Sequence, residues 1–219
     1  MNFAMLGNMN IFQQRVFLSV VAMAIVVVLS NILVQYLFGS WLTWAAFTYP
    51  MAFLITDVTN RKFGTKKARQ VVLAGFFVGV LCSIIASGIV DEAGNTLTTI
   101  RIALGSGVAF LVAQLVDIVI FHRLRDGVWW KAPLTSTLIG SFLDTALFFS
   151  IAFSATFSFI HYADPNGWAL EPTPLLGMGP TLPLWVSLAV ADFFVKILLA
   201  LLALAPFRAL TKKQRPVQG

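Results

Sequence analysis

Long apolar runs, each closed by a short polar or charged stretch, recur six times along the 219-residue chain. They lie roughly at Val16 to Phe38, Trp41 to Asn60, Arg69 to Val90, Thr99 to His122, Ala132 to Phe159 and Pro183 to Phe207. Each approaches or exceeds the about 20 mainly apolar residues that cross a bilayer as one α-helix. The polar positions between the runs are distributed unevenly. Arg15 precedes the first run; Arg61, Lys62, Lys66, Lys67 and Arg69 separate the second and third; Arg123, Arg125 and Lys131 separate the fourth and fifth; Arg208, Lys212, Lys213 and Arg215 follow the sixth. The alternate connectors, at 39–40, 91–98 and 160–182, hold no Lys or Arg and carry Asp91, Glu92, Asp164 and Glu171. Basic loops stay on the cytoplasmic side. The pattern therefore predicts a cytoplasmic tail over 1–15, a six-helix transmembrane domain over 16–208 with both termini inside, and a basic cytoplasmic tail over 209–219.

Composition fixes the class. Hydrophobic residues make up 58% of the chain and charged residues 11%, with a mean hydropathy of +0.86, whereas soluble domains carry about 25% charged residues. The expectation is an all-α integral membrane protein in a lipid bilayer. The net charge of +6 follows from where the basic residues sit, at segment ends, and calls for no nucleic-acid partner. A single cysteine, Cys82, excludes a disulfide framework and a Cys-based metal site. The first run is too long for a signal-peptide core and is kept as a mature helix. His122 and His161 fall on opposite faces, and no HExxH, GxSxG or glycine-rich phosphate loop occurs, so no enzyme, metal or cofactor is expected. Without an ATP-binding motif, active transport would need an ion gradient, a partner subunit or trapping downstream. Gly75, Gly79, Ser83 and Ser87 place a small residue at every fourth position of the third run. That face suits close internal packing or a homodimer seam. The external connector with Pro165, Pro172, Pro174 and Pro180 is expected to hold no regular structure and to serve as a plain connector or a lid.

Six ionisable residues remain inside the apolar runs: Asp57, Arg101, Asp117, Asp144, Asp192 and Lys196. Each costs about 2.5 to 3.5 kcal/mol at a helix centre on the insertion scale, so such residues mark pathways or binding sites. Counting along the helices places Asp144 and Asp192 near the midplane, Lys196 slightly further in, Asp57 and Asp117 toward the cytoplasmic end and Arg101 toward the outer end. Asp192 and Lys196, four apart, can neutralise each other. Asp144 has Gly140, Ser141, Leu147 and Phe148 as its helical neighbours and no basic one. It must find Arg101 or Lys196 across the bundle, bind a substrate donor or stay protonated, and it ranks first among the site candidates. Ser136 and Gly140 continue its face as a small polar stripe. Gln114 shares a face with Asp117, and Asn31 with Gln35, which suggests a polar interior. Pro50, within the second run, frees the carbonyl of Ala46 and predicts a kink or a break that lines a cavity. A helical bundle with a polar midplane reads as a small-molecule permease.

The segments LSNILV, YPMAFLITDVTNRKFG, RIALGSGVAFLVAQLVDIVIFHRLR, WWKAPLTSTLIGSFLDTALFFSIAF and VADFFVKILLALL resemble the queuosine-precursor transporter family, also described as vitamin-uptake-transporter-like proteins. The likeness runs from about Ser30 to Ala203, and the TD-x-T-x-R-x-FG and S-T-x-x-G-x-x-x-DT patterns, at 56–64 and 136–145, carry it. The resemblance implies uptake of 7-cyano-7-deazaguanine and/or 7-aminomethyl-7-deazaguanine across the bacterial inner membrane; the mechanism is expected to be facilitated diffusion, or proton coupling through an unpaired buried carboxylate. It also implies a six-helix plan similar to the substrate-binding subunits of energy-coupling-factor transporters. The positions it marks are Asn31, Asp57, Arg61, Arg101, Gln114, Asp117, Asp144, Asp192 and Lys196. A deazaguanine offers a ring N–H beside an exocyclic amine, a fork that a carboxylate accepts, and a carbonyl that takes Arg, Lys or an amide. Asp144 or Asp192 is expected to hold the fork, and Arg101, Gln114 or Asn31 the carbonyl or the 7-substituent. Phe148, Phe149, Phe153, Phe193 and Phe194 are the expected ring walls. The alternatives are a vitamin-binding membrane subunit that needs a separate energising complex, and a structural assembly protein whose ionic residues are all paired.

Overall fold

Asn10 starts the first helix, α1 (Ile11–Leu33), by accepting a hydrogen bond from the Gln13 amide at 2.8 Å, while the Gln13 side chain accepts from the Asn10 amide at 3.1 Å. This reciprocal cap satisfies amides that have no partner within the helix. It begins α1 five residues before Val16, because a polar cap is invisible to hydropathy. The structure is a computed structural model that describes residues 10–34, 36–90, 96–160 and 165–212. Gln35, Asp91, Glu92, His161, Asp164, Lys213, Arg215 and residues 1–9 of the amino-terminal tail lie outside the described residues.

After α1 the chain makes a small antiparallel hairpin, β1 (Leu37–Phe38) with β2 (Leu42–Thr43). The predicted second span is then split into α2 (Ala45–Thr48) and α3 (Met51–Phe63). Pro50 is the cause, since it has no N–H to donate to Ala46, and the next amides of Ala52 and Phe53 bond back only three residues, to Tyr49 and Pro50. Gly64, at φ +81°, turns the chain directly into α4 (Thr65–Ser87). Thr99 accepts from the Ile102 amide and opens α5 (Ile100–Leu124). α6 (Lys131–Phe153) and α7 (Leu184–Thr211) complete the bundle. Among the described residues, five helices, α1 and α4 to α7, are long and apolar enough to cross a membrane. The second predicted span is absent from that set because of its break.

Two further boundaries depart from the sequence reading. α6 ends at Phe153 rather than Phe159, where Ser154 turns extended (φ −65°, ψ 140°) and a 3-10 helix, Ala155–Ile160, follows. The Pro-rich connector also holds regular structure. It contains 3-10 turns at Pro165–Leu170 and Leu175–Gly177, and a hairpin of β3 (Pro172–Pro174) with β4 (Thr181–Pro183). Proline forbids a central strand, but a two-stranded ribbon has only edges. The connector is anchored by Ala169, which packs with Phe149, Ala152 and Phe153 of α6.

Contacts give the relative directions of the helices. Carbon added at Gly75 would lie 2.6 Å from Met23, and at Gly79 3.5 Å from Val27, so α1 and α4 run parallel. Thr56 and Asn60 of α3 bond to Gln114 and Ile118 of α5, so these two also run parallel. Arg101 of α5 reaches the carbonyls of Ile151 and Ser154 while Gly140 lies against Ala113, which makes α5 and α6 antiparallel. Asp144 and Thr145 meet Lys196 and Asp192, so α6 and α7 are antiparallel too. The apolar core joins α1, α3, α4 and α5 through Met23, Val27, Ala52, Ala68, Val71, Val72, Phe110 and Ile118.

Candidate functional site

Four helices, α3, α5, α6 and α7, present buried polar side chains to one another. On α6, the stripe Ser136, Thr137, Gly140, Ser141, Asp144 and Thr145 repeats at helical spacing, and all six are buried. Its carboxyl-terminal half meets α7. The ammonium of Lys196 donates to Asp144 Oδ2 at 2.7 Å and to Thr145 Oγ1 at 3.0 Å, and is paired with Asp192 Oδ2 at 2.6 Å. The Thr145 hydroxyl in turn donates to Asp192 Oδ2 at 2.7 Å. One cation thus serves two carboxylates. The group, when ionised, keeps one negative charge in excess, and Asp192 is its most accessible member, with 15% of its side chain exposed.

The amino-terminal half of the same stripe meets α3 and α5. Ser136 and Thr137 donate to the two oxygens of Asp57 at 3.4 and 3.2 Å. Thr56 donates to Gln114 Oε1 at 2.6 Å, and Asn60 Nδ2 to the Ile118 carbonyl at 3.0 Å. Asp57 and Ser136 are the polar neighbours of Asp117, yet among the described residues no group stands in hydrogen-bonding geometry to either of its oxygens. Gln114 Nε2, Asn60 Oδ1 and Ser141 Oγ are buried and unpaired in the same way. Unpaired polar atoms in a dry interior are costly and mark places where a partner is added or exchanged.

Between α1, α4 and α5 lies an open-sided cavity of about 440 Å³, with the exposed Val80, Ile84, Ile100 and Leu104 among its lining residues and a volume within the range of small-molecule pockets. The small-residue face of α4 (Gly75, Gly79, Ser83, Ser87) forms one wall, and Phe76 and Phe110 supply aromatic surface. Asn31, Tyr49, Thr99 and Ser106 supply the polar lining. Tyr49 packs edge-on against Phe110 with ring centroids 6.0 Å apart; its hydroxyl faces Ser106, and Asp144 and Asp192, which do not line the cavity, are in electrostatic range of it. The cavity occupies the ends of α1 and α4 remote from the basic connectors.

The residues singled out in the sequence therefore divide. Asp144, Asp192 and Lys196 form one cluster; Asp57, Gln114 and Asp117 form a second. Asn31 lines the cavity, its amide bonded to the Val27 carbonyl at 2.9 Å. Arg101 stands apart from Asp144, its guanidinium on the carbonyls of Ile151 and Ser154 at 3.1 and 2.7 Å. Ile151 lies in the last turn of α6, where helical partners run out, and the Ser154 carbonyl accepts from the Phe157 amide as well, at 3.2 Å. Arg61 is likewise turned away from the acids, to the Arg125 carbonyl. Of the expected aromatic walls, Phe149 and Phe153 are buried against the connector, and Phe194 is 62% exposed. Phe76, Phe110 and Tyr49 stand at the cavity instead. Tyr49, Thr56, Ser106, Thr137 and Thr145 were not read from the sequence as site residues. Thr137 and Thr145 had a signal, since each adjoins the Ser136–Asp144 face; the others have none.

Comparison with known proteins adds the following. A family described as "Putative vitamin uptake transporter" matches residues 43–211. The "Queuosine precursor transporter" of Escherichia coli strain K12 is 32% identical over 195 residues, covering 83% of this chain and 79% of that protein. The "Probable queuosine precursor transporter" of Haemophilus influenzae is 33% identical over 174 residues, covering 75% and 66%. That of Bacillus subtilis strain 168 is 26% identical over 197 residues. No solved structure matches the chain.

Proposed function

The chain belongs to the vitamin uptake transporter family, and we propose that it is a multi-pass protein of the bacterial inner membrane that takes up queuosine precursors. The substrates would be 7-deazaguanine bases with a 7-cyano or 7-aminomethyl group. The observation that carries this reading is the about 440 Å³ cavity whose lining includes Phe76, Phe110 and Tyr49, with Asp144 and Asp192 of the ion cluster in electrostatic range of Tyr49. A flat bicyclic base buries its faces against Phe76 and Phe110. Its N–H and exocyclic amine turn toward the acids in electrostatic range of Tyr49, where two carboxylates share one ammonium and one acceptor is in excess.

The helix directions support six passes. With α1 and α4 parallel to each other, α3 parallel to α5, and α5 antiparallel to α6, the combined α2–α3 unit serves as the second pass. From Ala45 to Phe63 it is about 28 Å long at the helical rise. An even number of passes returns both ends to one side, and the basic connectors assign that side to the cytoplasm. The cavity then faces the exterior, and the unpaired Gln114 and Asp117 lie deeper, toward the interior. Two unlike polar clusters in series along α6 suit a path by which a base moves inward.

Uptake of radiolabelled 7-cyano-7-deazaguanine by liposomes containing only the purified chain tests the reading. Uptake that saturates, and that is weakened about tenfold or more in Asp144→Asn through loss of a charge-assisted contact, is expected. Equal affinity in Asp144→Asn and wild type would remove Asp144 from the site. Uptake only after addition of an energising complex would instead support the vitamin-binding subunit.

A further inference from the structure

Toward the end of the bundle that carries the basic connectors lies a void of about 10 Å³ between α3, α6 and α7. Its lining steps toward that end along each helix, from Pro50, at the head of α3, to Asp57, from Thr137 to Pro133 on α6 and from Leu199 to Phe207 on α7. The stretch on α7 alone is about 12 Å long at the helical rise. The void has room for one water-sized species and none for a base. It shares the break between α2 and α3 with the outer cavity, since Tyr49 lines the cavity and the next residue, Pro50, lines the void.

Phe207 stands at the far end of this lining. It is 3% exposed, and its ring is edge-on to Phe121 of α5 with centroids 5.9 Å apart. Ala132 of α6 belongs to the same buried cluster, with Leu54, Val58 and Leu124 packed against it. An aromatic pair therefore fills the space where α3, α5, α6 and α7 converge. At the same end, Arg61 and Arg125 tie α3 to α5, each guanidinium donating to the other residue's carbonyl, the second bond being long at 3.5 Å. Both donors are cations and both acceptors are neutral, so the tie gathers like charges that repel.

The helix that carries Phe207 is weakened at the adjoining residue. Pro206 lies inside α7; it has no N–H for the Leu202 carbonyl, and its ring crowds that carbonyl. Sharp bends of helices concentrate at such residues. Beyond Pro206 only Phe207 to Thr211 remain, little more than one turn, fastened to the α5–α6 connector by Arg208 over the Trp129 ring at 4.6 Å. Asp192 and Lys196 lie ten or more residues before Pro206, so this last turn can swing without disturbing the midplane cluster.

We propose that Phe207 is the inner gate of the transport path, and that its turn of α7 swings about Pro206 to open the void between α3, α6 and α7 for exit of the base; this rests on the transport reading above. The route runs from Tyr49 past Pro50, along Asp57 and Thr137, and out where Phe207 and Phe121 now meet. The structure is then the inward-closed state, with a cavity large enough for a base and a collapsed exit. Among the described residues, none of α7 lines the cavity, so changes at Phe207 and Pro206 alter exit and spare the binding of the base.

Cysteine labelling reads the gate directly. Cys82 is the one cysteine of the chain and is removed in a Cys82→Ser parent. Ala200→Cys then sets a thiol in the void, outward of Phe207, at a position 4% exposed. Ala209→Cys, at an exposed position of the last turn, gives the rate for a freely reached thiol. Both are labelled in inside-out membrane vesicles with a membrane-impermeant maleimide. Ala200→Cys should label slowly, and faster while 7-cyano-7-deazaguanine exchanges across the membrane. Adding Phe207→Ala should raise the rate about tenfold or more, because it makes dominant an open state that is otherwise populated at about 0.1 to 10%. Pro206→Ala, which restores the backbone bond, should slow both labelling and uptake while the base still raises the Tm, and it carries the test if Phe207→Ala does not fold. Labelling unchanged by Phe207→Ala, or a Pro206→Ala protein that labels and transports as the parent does, overturns the gate and leaves the transport reading standing. So does Ala200→Cys labelling as fast as Ala209→Cys, or labelling indifferent to the base in a protein that takes the base up. A protein that neither binds nor takes up the base overturns both.

Discussion

Replacing Lys196 by Met should destabilise the fold more than any other single change in the midplane cluster. The ammonium lies 2.7 Å from Asp144, 2.6 Å from Asp192 and 3.0 Å from the Thr145 hydroxyl, and the residue is 4% exposed. Met fills a similar volume, so packing is conserved while two carboxylates lose their common partner. Breaking a buried pair by removing one member costs about 3 to 5 kcal/mol. At about 2 to 4 °C per kcal/mol for a chain of this size, the midpoint of thermal unfolding in detergent should fall by about 6 to 20 °C. Asp144→Asn is the internal control. It leaves Lys196 balanced against Asp192 and keeps a side-chain oxygen to accept from the ammonium, so its cost is that of a charge-assisted hydrogen bond, about 1.5 to 3 kcal/mol at most. The double variant, Lys196→Met with Asp144→Asn, should be less damaging than the sum of the two, because the second change removes a charge that the first had orphaned. A Lys196→Met protein as stable as Asp144→Asn, or a double variant whose losses simply add, would refute the reasoning that one cation holds two acids here.

Three other outcomes are expected. Gly140→Val should destabilise by about 1 to 3 kcal/mol through overpacking, since an added carbon would stand 2.7 Å from the Phe53 ring and 3.3 Å from the Ala113 carbonyl; thermal unfolding checks it, and an unchanged midpoint would contradict the close α5–α6 approach. Arg101→Met should cost about 1.5 to 3 kcal/mol by removing the charged donor to the Ile151 and Ser154 carbonyls, with base affinity in the folded protein unchanged, as titration of base-induced stabilisation would show. Gly79→Phe should fill the cavity, because an added carbon at Gly79 meets only Val27, at 3.5 Å. It should abolish stabilisation by the base while the unliganded protein unfolds within about 1 kcal/mol of wild type, as an accommodated substitution does; retained base binding would move the site elsewhere.

Much of the bundle was legible because lipid imposes it: backbone that crosses hydrocarbon must satisfy its own hydrogen bonds, so apolar length reports helices. The break at Pro50 was legible for the same reason, as a missing donor. Charge alone leaves Asp144 with Arg101, Lys196, a substrate donor or a proton, and the structure pairs it with Lys196. Helix ends were less visible, since Asn10, Thr99 and Ser154 set them through single hydrogen bonds and dihedrals. The rotation of one helix against another was not visible at all. It decides that Gly75, Gly79, Ser83 and Ser87 wall a cavity, that Tyr49 rather than Phe148 or Phe193 lines it, and that Arg101 turns to carbonyls. A hydroxyl such as Thr145 gains its role from a partner 47 positions away, which no local pattern encodes.

The most direct test of the transport reading is thermal unfolding of the detergent-purified chain with 7-cyano-7-deazaguanine and 7-aminomethyl-7-deazaguanine, with guanine and riboflavin as controls. A ligand at about a hundred times its dissociation constant adds about 2.7 kcal/mol to the folded state, or about 5 to 11 °C at the same conversion. A rise of that size with a deazaguanine, lost in Gly79→Phe and reduced in Asp144→Asn, is the expected result. No rise with either deazaguanine, with riboflavin or another vitamin giving one, would contradict it.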